Sequence, residues 1–304
     1  MIEYNNNQQP KKPFKYKKPL IIAAVLLAIV LAGGLLYFWW RADANLPEPE
    51  PLPQQLEQQI TNKSQKEPTK PKAQATSDFS GAKLQAALSE WADNHTGTYA
   101  VTITDESGKV LAEHDADKVF FAASLYKLYV AYEGYRKVDD GTYKLSQTYL
   151  NGWTREKCLH EMIHSSNSPC AEKMMAELGP TTLNTKVKTY GMNNTSLSGI
   201  STSSRDSALM LSRIWQGTGL SESSKAKYLK SLETQIYAEG LKTGFDDQTV
   251  YDKVGFRENI EYHDAGIVKF SDGRVLIVSV FTKNVGTKNI VGLAQSLLAA
   301  TKKL

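Results

Sequence analysis

Phe120-Phe121-Ala122-Ala123-Ser124-Leu125-Tyr126-Lys127-Leu128-Tyr129-Val130-Ala131-Tyr132 holds no Gly or Pro and a single charged side chain, Lys127. The run is too long for a lone strand and too apolar for a surface helix, so it predicts a helix buried on nearly every side. Ser124 and Lys127, three positions apart, share one face of it. An amine in apolar surroundings is pushed towards its neutral, proton-accepting form, and a hydroxyl within its reach becomes an activated nucleophile. The spacing alone proves little, because Ser80-x-x-Lys83 and Ser224-x-x-Lys227 repeat it. Ser80 precedes a helix as a cap. Ser224 stands among Lys225, Lys227 and Lys230, where amines stay hydrated. Only Ser124 has the apolar setting.

Upstream of this stretch, the composition of the 304-residue chain divides it unevenly. Residues 1–19 form a polar tail with Lys11, Lys12, Lys15, Lys17 and Lys18 against the single acid Glu3. Residues 20–40 carry no charge and as a helix would span about 30 Å, the thickness of a bilayer core. Tyr37, Phe38, Trp39 and Trp40 close the run as an interfacial belt. The lysines before it place the N-terminus in the cytoplasm, so the expectation is a single-pass anchor in the cell membrane with the rest of the chain outside. Ala42-Asp43-Ala44 also fits a signal-peptide cleavage site, but the apolar run exceeds the roughly 7–15 residues of a signal core. Residues 41–78 hold six of the eleven prolines and no aromatic residue, which reads as a disordered tether. The net charge of +4 resides largely in the basic tail and points to anionic lipid, not nucleic acid.

Residues 79–304 have the size of one domain. Ser80 to His95 has helical spacing; Gly97–Thr104 and Lys109–Glu113 alternate about Glu106-Ser107-Gly108 as a β-hairpin. From Ser124 to about Leu232 the pattern is mostly helical. Thr249–Phe256, Tyr262–Phe270 and Arg274–Thr282 then read as strands before a final helix over Ile290–Lys303. Strands at both ends with helices between predict an α+β domain with one antiparallel sheet built from the two ends.

Acyl transfer at Ser124 would also need a proton for the leaving group and groups to hold the substrate. Ser165-Ser166-Asn167 lies in the turn between two helical runs, where Ser165 offers a proton relay and Asn167 an amide for a substrate carbonyl; the same letters also suit plain helix capping. A lysine and glycine on an edge strand would complete the site. Lys242-Thr243-Gly244 and Lys253-Val254-Gly255 both qualify by letters. Taking Lys253 leaves three strands and a helix with nothing surplus. Gly255 would let substrate approach the backbone, and the N–H groups of Ser124 and Phe256 would be the oxyanion donors.

The ordered set Ala-Ser124-Leu-Tyr-Lys127, Ser165-Ser-Asn167 and Asp-Lys253-Val-Gly255, with the turn at Asp272-Gly273 and the helix start at Thr202–Ala208, resembles the class A β-lactamase and penicillin-binding-protein superfamily of serine acyl enzymes. The resemblance covers about residues 79–304. It implies a five-stranded antiparallel sheet flanked by helices, a helical lobe, and an active site between them. It makes Ser124 the nucleophile, Lys127 the proton acceptor, Ser165 the relay, Asn167 a substrate ligand and Lys253 the anchor for a substrate carboxylate. The substrate would be a β-lactam or a D-Ala-D-Ala stem peptide of peptidoglycan, with no cofactor and a monomeric enzyme. Ser166 replaces the family's Asp, and Val254 its Thr or Ser. The Glu-x-x-Leu-Asn element that activates the deacylating water is missing, for residues 179–220 contain no Glu. Slow deacylation is therefore expected, since a positioned base is worth about 10²–10⁴ in rate.

Two rival readings stand beside this one. His160-Glu161-Met162-Ile163-His164 spells the HExxH signature of zinc proteases, yet no His follows until His263, so no metal site is expected. A domain that binds cell-wall peptide, or is acylated once as a penicillin sensor, is the non-enzymatic reading. Cys158 and Cys170, the only cysteines, flank the Ser165 turn. In an extracytoplasmic domain they are expected to form a disulfide, with two buried free thiols as the alternative.

Overall fold

Ser80 accepts a hydrogen bond from Lys83 N through its hydroxyl and so opens α1 (Gly81–Asp93), the first helix of the computed structural model, which describes residues 79–258 and 260–302. Strands β1 (Thr98–Asp105) and β2 (Val110–His114) form the expected hairpin. In its turn the Asp105 carboxylate accepts from Ser107 N and Lys109 N, while Gly108 takes a φ of 87°. A short strand β3 (Phe120–Phe121) and a 3-10 turn (Ala123–Leu125) lead into α2 (Tyr126–Asp139), buried without interruption from Tyr126 to Tyr135. The ribbon β4 (Thr148–Leu150) and β5 (Trp153–Thr154) precedes α3 (Arg155–His164), α4 (Ser168–Leu178) and α5 (Pro180–Thr189). Strand β6 (Ser201–Thr202), α6 (Ser204–Gln216), α7 (Glu222–Glu233) and the single turn α8 (Leu241–Gly244) follow. The chain ends in β7 (Thr249–Arg257), β8 (Glu261–Lys269), β9 (Val275–Lys283) and α9 (Thr287–Ala300).

The large sheet runs β2-β1-β9-β8-β7, every neighbouring pair antiparallel. Its central strand β9 is buried at eight of nine positions, the run of an element covered on both faces. Leu84, Leu88 and Trp91 of α1 pack with Leu293 and Leu297 of α9 against one face. Leu125, Tyr129, Leu211 and Ile277 belong to the second core, between the other face and the helical lobe. Strand β7 is the edge, with its inner side against the 3-10 turn that carries Ser124.

The structure differs from the sequence reading at the start of the Ser124 segment. Phe120 and Phe121 pair with Thr202 and Ser201 as a strand, and Ala122 N donates to Ile200 O. The helix begins only at Tyr126, because Ala123 takes a left-handed φ of 43°. The expected tail, membrane-spanning helix and linker at residues 1–78 lie outside the described residues. Among the described residues no helix is long and apolar enough to cross a membrane.

Candidate active site

Lys127 faces inward from the first turn of α2 with no exposed surface. Its Nζ donates to Ser124 Oγ at 3.1 Å, as the sequence spacing requires. The same nitrogen meets Ser166 O at 2.5 Å, and Ser166 Oγ and Ser168 Oγ each at 3.1 Å. Burial draws the Lys127 pKa down to about 8, and the Glu172 carboxylate opposes the shift. Lys253, equally buried on β7, reaches the group from the opposite side: its Nζ is 3.1 Å from Ser166 Oγ and 2.6 Å from Val254 O. Burial, and then the charge of Lys127, lower the Lys253 pKa to about 7.

Ser166, not Ser165, thus joins the two lysines. Ser165 closes α3, and its hydroxyl turns away to Glu161 Oε2 at 2.7 Å. Asn167 is corrected likewise: its Oδ1 accepts from Cys170 N at 3.0 Å as the N-cap of α4, leaving Ser168 to face Lys127. The cause of the one-residue displacement is the backbone of Ser166, whose φ of 56° turns the chain between the two helices. Left-handed conformation in a non-glycine residue costs on the order of 1–3 kcal/mol and is retained where the surroundings enforce it. Here Ala123 and Ser166 both adopt it, next to the nucleophile and at the bridge. Cys158 and Cys170 are joined in a disulfide with Cα atoms 5.2 Å apart. The bond ties α3 to α4 across this turn and by chain entropy is worth about 3 kcal/mol.

Gly255 is required for a reason other than access for substrate. A Cβ built there would lie 2.9 Å from Ala122 O and 3.0 Å from both Ser124 N and Leu125 N. Strand β7 sits flush on the nucleophile turn, and only a residue without a side chain permits it. Val254 points to the opposite side and is buried. Phe256 is half exposed, and its ring lies against Tyr237 and Tyr262. A recess of about 760 Å³ lies on that side, lined by Tyr237, Phe256 and Tyr262 among others, and contains none of Ser124, Lys127, Ser166 or Lys253.

The other candidate lysine has a supporting place. Lys242, on α8, pairs with the buried Asp252 at 2.8 Å, directly before Lys253 in the chain. Asp252 and the equally buried Asp264 have carboxyls raised by burial, and both charges favour the protonated state of Lys253. A residue the sequence reading passed over is His263. Its Nε2 donates to Phe121 O at 2.9 Å and its Nδ1 accepts from Thr282 N at 3.1 Å, so the neutral ring fastens β9 to the segment that carries Ser124. Burial holds its pKa at about 4. A single buried His in a strand gave no signal of this in the sequence.

His160 and His164 are stacked on α3, with ring centroids 4.8 Å apart. The Glu161 between them accepts from Ser165. Among the described residues no group of three or more His, Cys, Asp or Glu is placed to hold a metal ion.

The profile of the beta-lactamase enzyme family matches residues 83–300. The chain belongs to that family. On that membership it is a serine hydrolase of β-lactamase type. A structure of PBP-A is similar at 22% identity and a TM-score of 0.65, over 71% of this chain and 95% of that one. A β-lactamase from Desulfarculus baarsii is similar at 17% identity and a TM-score of 0.66, over 72% and 97%. An ancestral class A β-lactamase is similar at 19% identity and a TM-score of 0.66, over 71% and 99%. These likenesses show the α+β fold. Comparison with curated protein sequences gave no match.

Proposed function

We propose that Ser124 is the nucleophile of an acyl-enzyme mechanism on β-lactams or on D-Ala-D-Ala peptides of peptidoglycan, and that release of the acyl group is slow. The observation that carries this reading is Ser166 Oγ standing 3.1 Å from both Lys127 Nζ and Lys253 Nζ, with Ser124 Oγ 3.1 Å from the first. Neutral Lys127 takes the Ser124 proton as Oγ bonds to the substrate carbonyl carbon. The N–H groups of Ser124 and Phe256 hold the resulting oxyanion. When the C–N bond breaks, the proton passes from Lys127 through Ser166 to the leaving nitrogen. Burial draws the pKa of both amines down from the ordinary lysine value. An arriving carboxylate draws the shared proton to Lys253, which leaves Lys127 as the base. A variant of PBP-A in the same fold was captured as an acyl-enzyme complex with penicillin G, which supports a β-lactam as the acylating species.

Slow release follows from the missing Glu between residues 179 and 220. Asp206, the acidic residue of that interval's end, is committed to Asn194 N and Thr195 Oγ1 at the start of α6. The zinc-protease reading is disfavoured, because the HExxH base is bonded to Ser165 and a third protein ligand is missing from the described residues. Membrane anchoring through residues 20–40 with an extracytoplasmic domain remains part of the proposal, supported by the charge and hydropathy pattern of the sequence. Stopped-flow nitrocefin hydrolysis tests the kinetic claim. The expected trace is a burst of about one equivalent followed by slow turnover; rapid linear turnover with no burst contradicts it.

A further inference from the structure

The recess beside Phe256 is left unused by the mechanism above. Its volume of about 760 Å³ suits a group of small-molecule size. The floor is apolar: Phe256 and Ile260 are exposed in it, and the Phe256 ring meets Tyr237 at 5.7 Å and Tyr262 at 6.3 Å between centroids. The charged groups of the lining are Glu239, Arg257, Glu258 and Glu261. Arg257 and Glu261 cancel, joined by two hydrogen bonds of 2.6 Å. Glu239 and Glu258 have no ion-pair partner among the described residues. Burial and then the charges of Asp264 and Glu239 raise the Tyr262 phenol, which places Glu239 near the aromatic floor. Gly286 and Thr287 bring the start of α9 to the same lining, about half a positive charge against two free carboxylates. Lys283 and Lys288 flank that segment in the chain but do not line the recess. The lining therefore keeps a surplus of negative charge over an apolar floor.

The segment that carries Tyr237 and Glu239 is fixed at both ends. Ile236 N donates to His164 O at 3.0 Å, Lys242 Nζ to Gln235 O at 3.1 Å, and Leu241 N to the buried Asp264 Oδ2 at 2.7 Å. Gly240 sits so close to that carboxylate that any Cβ would run into it. On the other wall Asn284 N donates to Ile260 O at 2.8 Å. Walls set before a ligand arrives spare the cost of ordering them on binding. Phe256 connects the recess to the reaction, since its N–H is one of the two oxyanion donors and its ring is part of the floor. Gly255 turns towards Ser124 and Phe256 to the opposite face of β7. Because β7 is an edge strand, a substrate lying along it can send a substituent over that edge. We propose that the recess receives a positively charged organic substituent of the acyl donor, such as an alkylammonium or pyridinium group, with its apolar body on Phe256 and Ile260 and its charge towards Glu239 and Glu258. This assignment rests on the acylation of Ser124 and names the substrates that the site favours. Two carboxylates about 5 Å from a cation in well-hydrated surroundings give a preference on the order of 10-fold, and they repel an anionic substituent.

Two measurements on the full chain test the assignment. Titration of the Ser124→Ala protein with benzyltrimethylammonium chloride, followed by ¹H–¹⁵N spectra, should give saturable shifts at the amides of Phe256, Glu258 and Gly286, and benzoate should give none. Glu239→Gln with Glu258→Gln changes two exposed side chains and should keep the native Tm while weakening the probe about 10-fold. The second measurement compares acylation by two cephalosporins that share one acyl side chain, one with a pyridinium and the other with an acetoxy group on the C3 methylene. The ratio of their second-order rates, pyridinium over acetoxy, should fall about 10-fold in the double variant, and by less at high salt. Comparing native with variant cancels any difference in intrinsic reactivity. Shifts that do not saturate or that fall on amides outside the recess, or a probe bound equally by the double variant, would overturn the assignment. Labelling of Ser124 by both compounds at a ratio the variant leaves unchanged overturns this assignment alone; labelling by neither overturns the acylation reading and this assignment together.

Discussion

Gly255→Ala tests whether β7 positions the nucleophile by direct backbone contact. The added methyl would meet three backbone atoms, Ala122 O at 2.9 Å and Ser124 N and Leu125 N at 3.0 Å. Ordinary contact with such atoms begins near ~3.5 Å, so the strand and the turn must separate by about 0.5 Å. No side chain can rotate to absorb the difference. Overpacking of this kind costs about 1–3 kcal/mol of stability. Its effect on chemistry is larger, because the separated groups are those that align Ser124 Oγ, Lys127 and the oxyanion donors, and a displacement of about 1 Å at a reacting centre can cost 10²-fold. The expected loss in the second-order rate of labelling by a fluorescent penicillin is therefore about 10-fold to 10²-fold, with a lowered Tm. Val254→Ala, on the same strand with its buried side chain on the face opposite Gly255, should lower Tm and leave the labelling rate largely intact. Labelling at the original rate in folded Gly255→Ala protein would refute the positioning argument.

Exchanging the two serines of the turn separates bridge from bystander. Ser166→Ala should slow acylation by about 10²–10⁴, the usual weight of a proton-transferring group, while Ser165→Ala should stay within about threefold, as for a change outside the chemistry. Equal effects would contradict the assignment. The acylation rate against pH should be bell-shaped. Below about 7 both amines hold protons and Lys127 cannot accept one; above about 8 both are neutral and no cation meets the substrate carboxylate. A flat profile from pH 5 to 9 would dismiss the shared-proton scheme. His263 makes the fold acid-sensitive: with its pKa at about 4 in the fold against an ordinary 6.5, it contributes stability present above 6.5 and lost as pH falls towards 4. That loss amounts to about 3 kcal/mol. Denaturant midpoints of the native protein and of His263→Phe should diverge in slope across that window, and parallel curves would show that the ring does not act this way.

The sequence disclosed most of the architecture because its signals are local. Alternation marked β1, β2 and the last three strands to within a residue or so. Counting strands chose Lys253 over Lys242, and the strand that carries Lys253 is at the edge in the sheet order. What sequence periodicity missed is backbone geometry enforced at a distance. Ala123 and Ser166 are ordinary letters in left-handed conformation, and those two residues decide where the helix begins and which serine faces the lysines. The pairing of β3 with β6 spans about eighty residues and involves two residues on each side, too few for an alternation signal. His263 likewise acts through a contact 142 positions away.

The central claim is that one hydroxyl takes the acyl group. Its most direct test is intact mass, followed by peptide mapping, of the protein after brief exposure to penicillin G, with Ser124→Ala alongside. One persistent adduct carried by the peptide containing Ser124, and none in the variant, is the predicted result. An adduct retained in Ser124→Ala, or none in the folded native protein, would contradict the account.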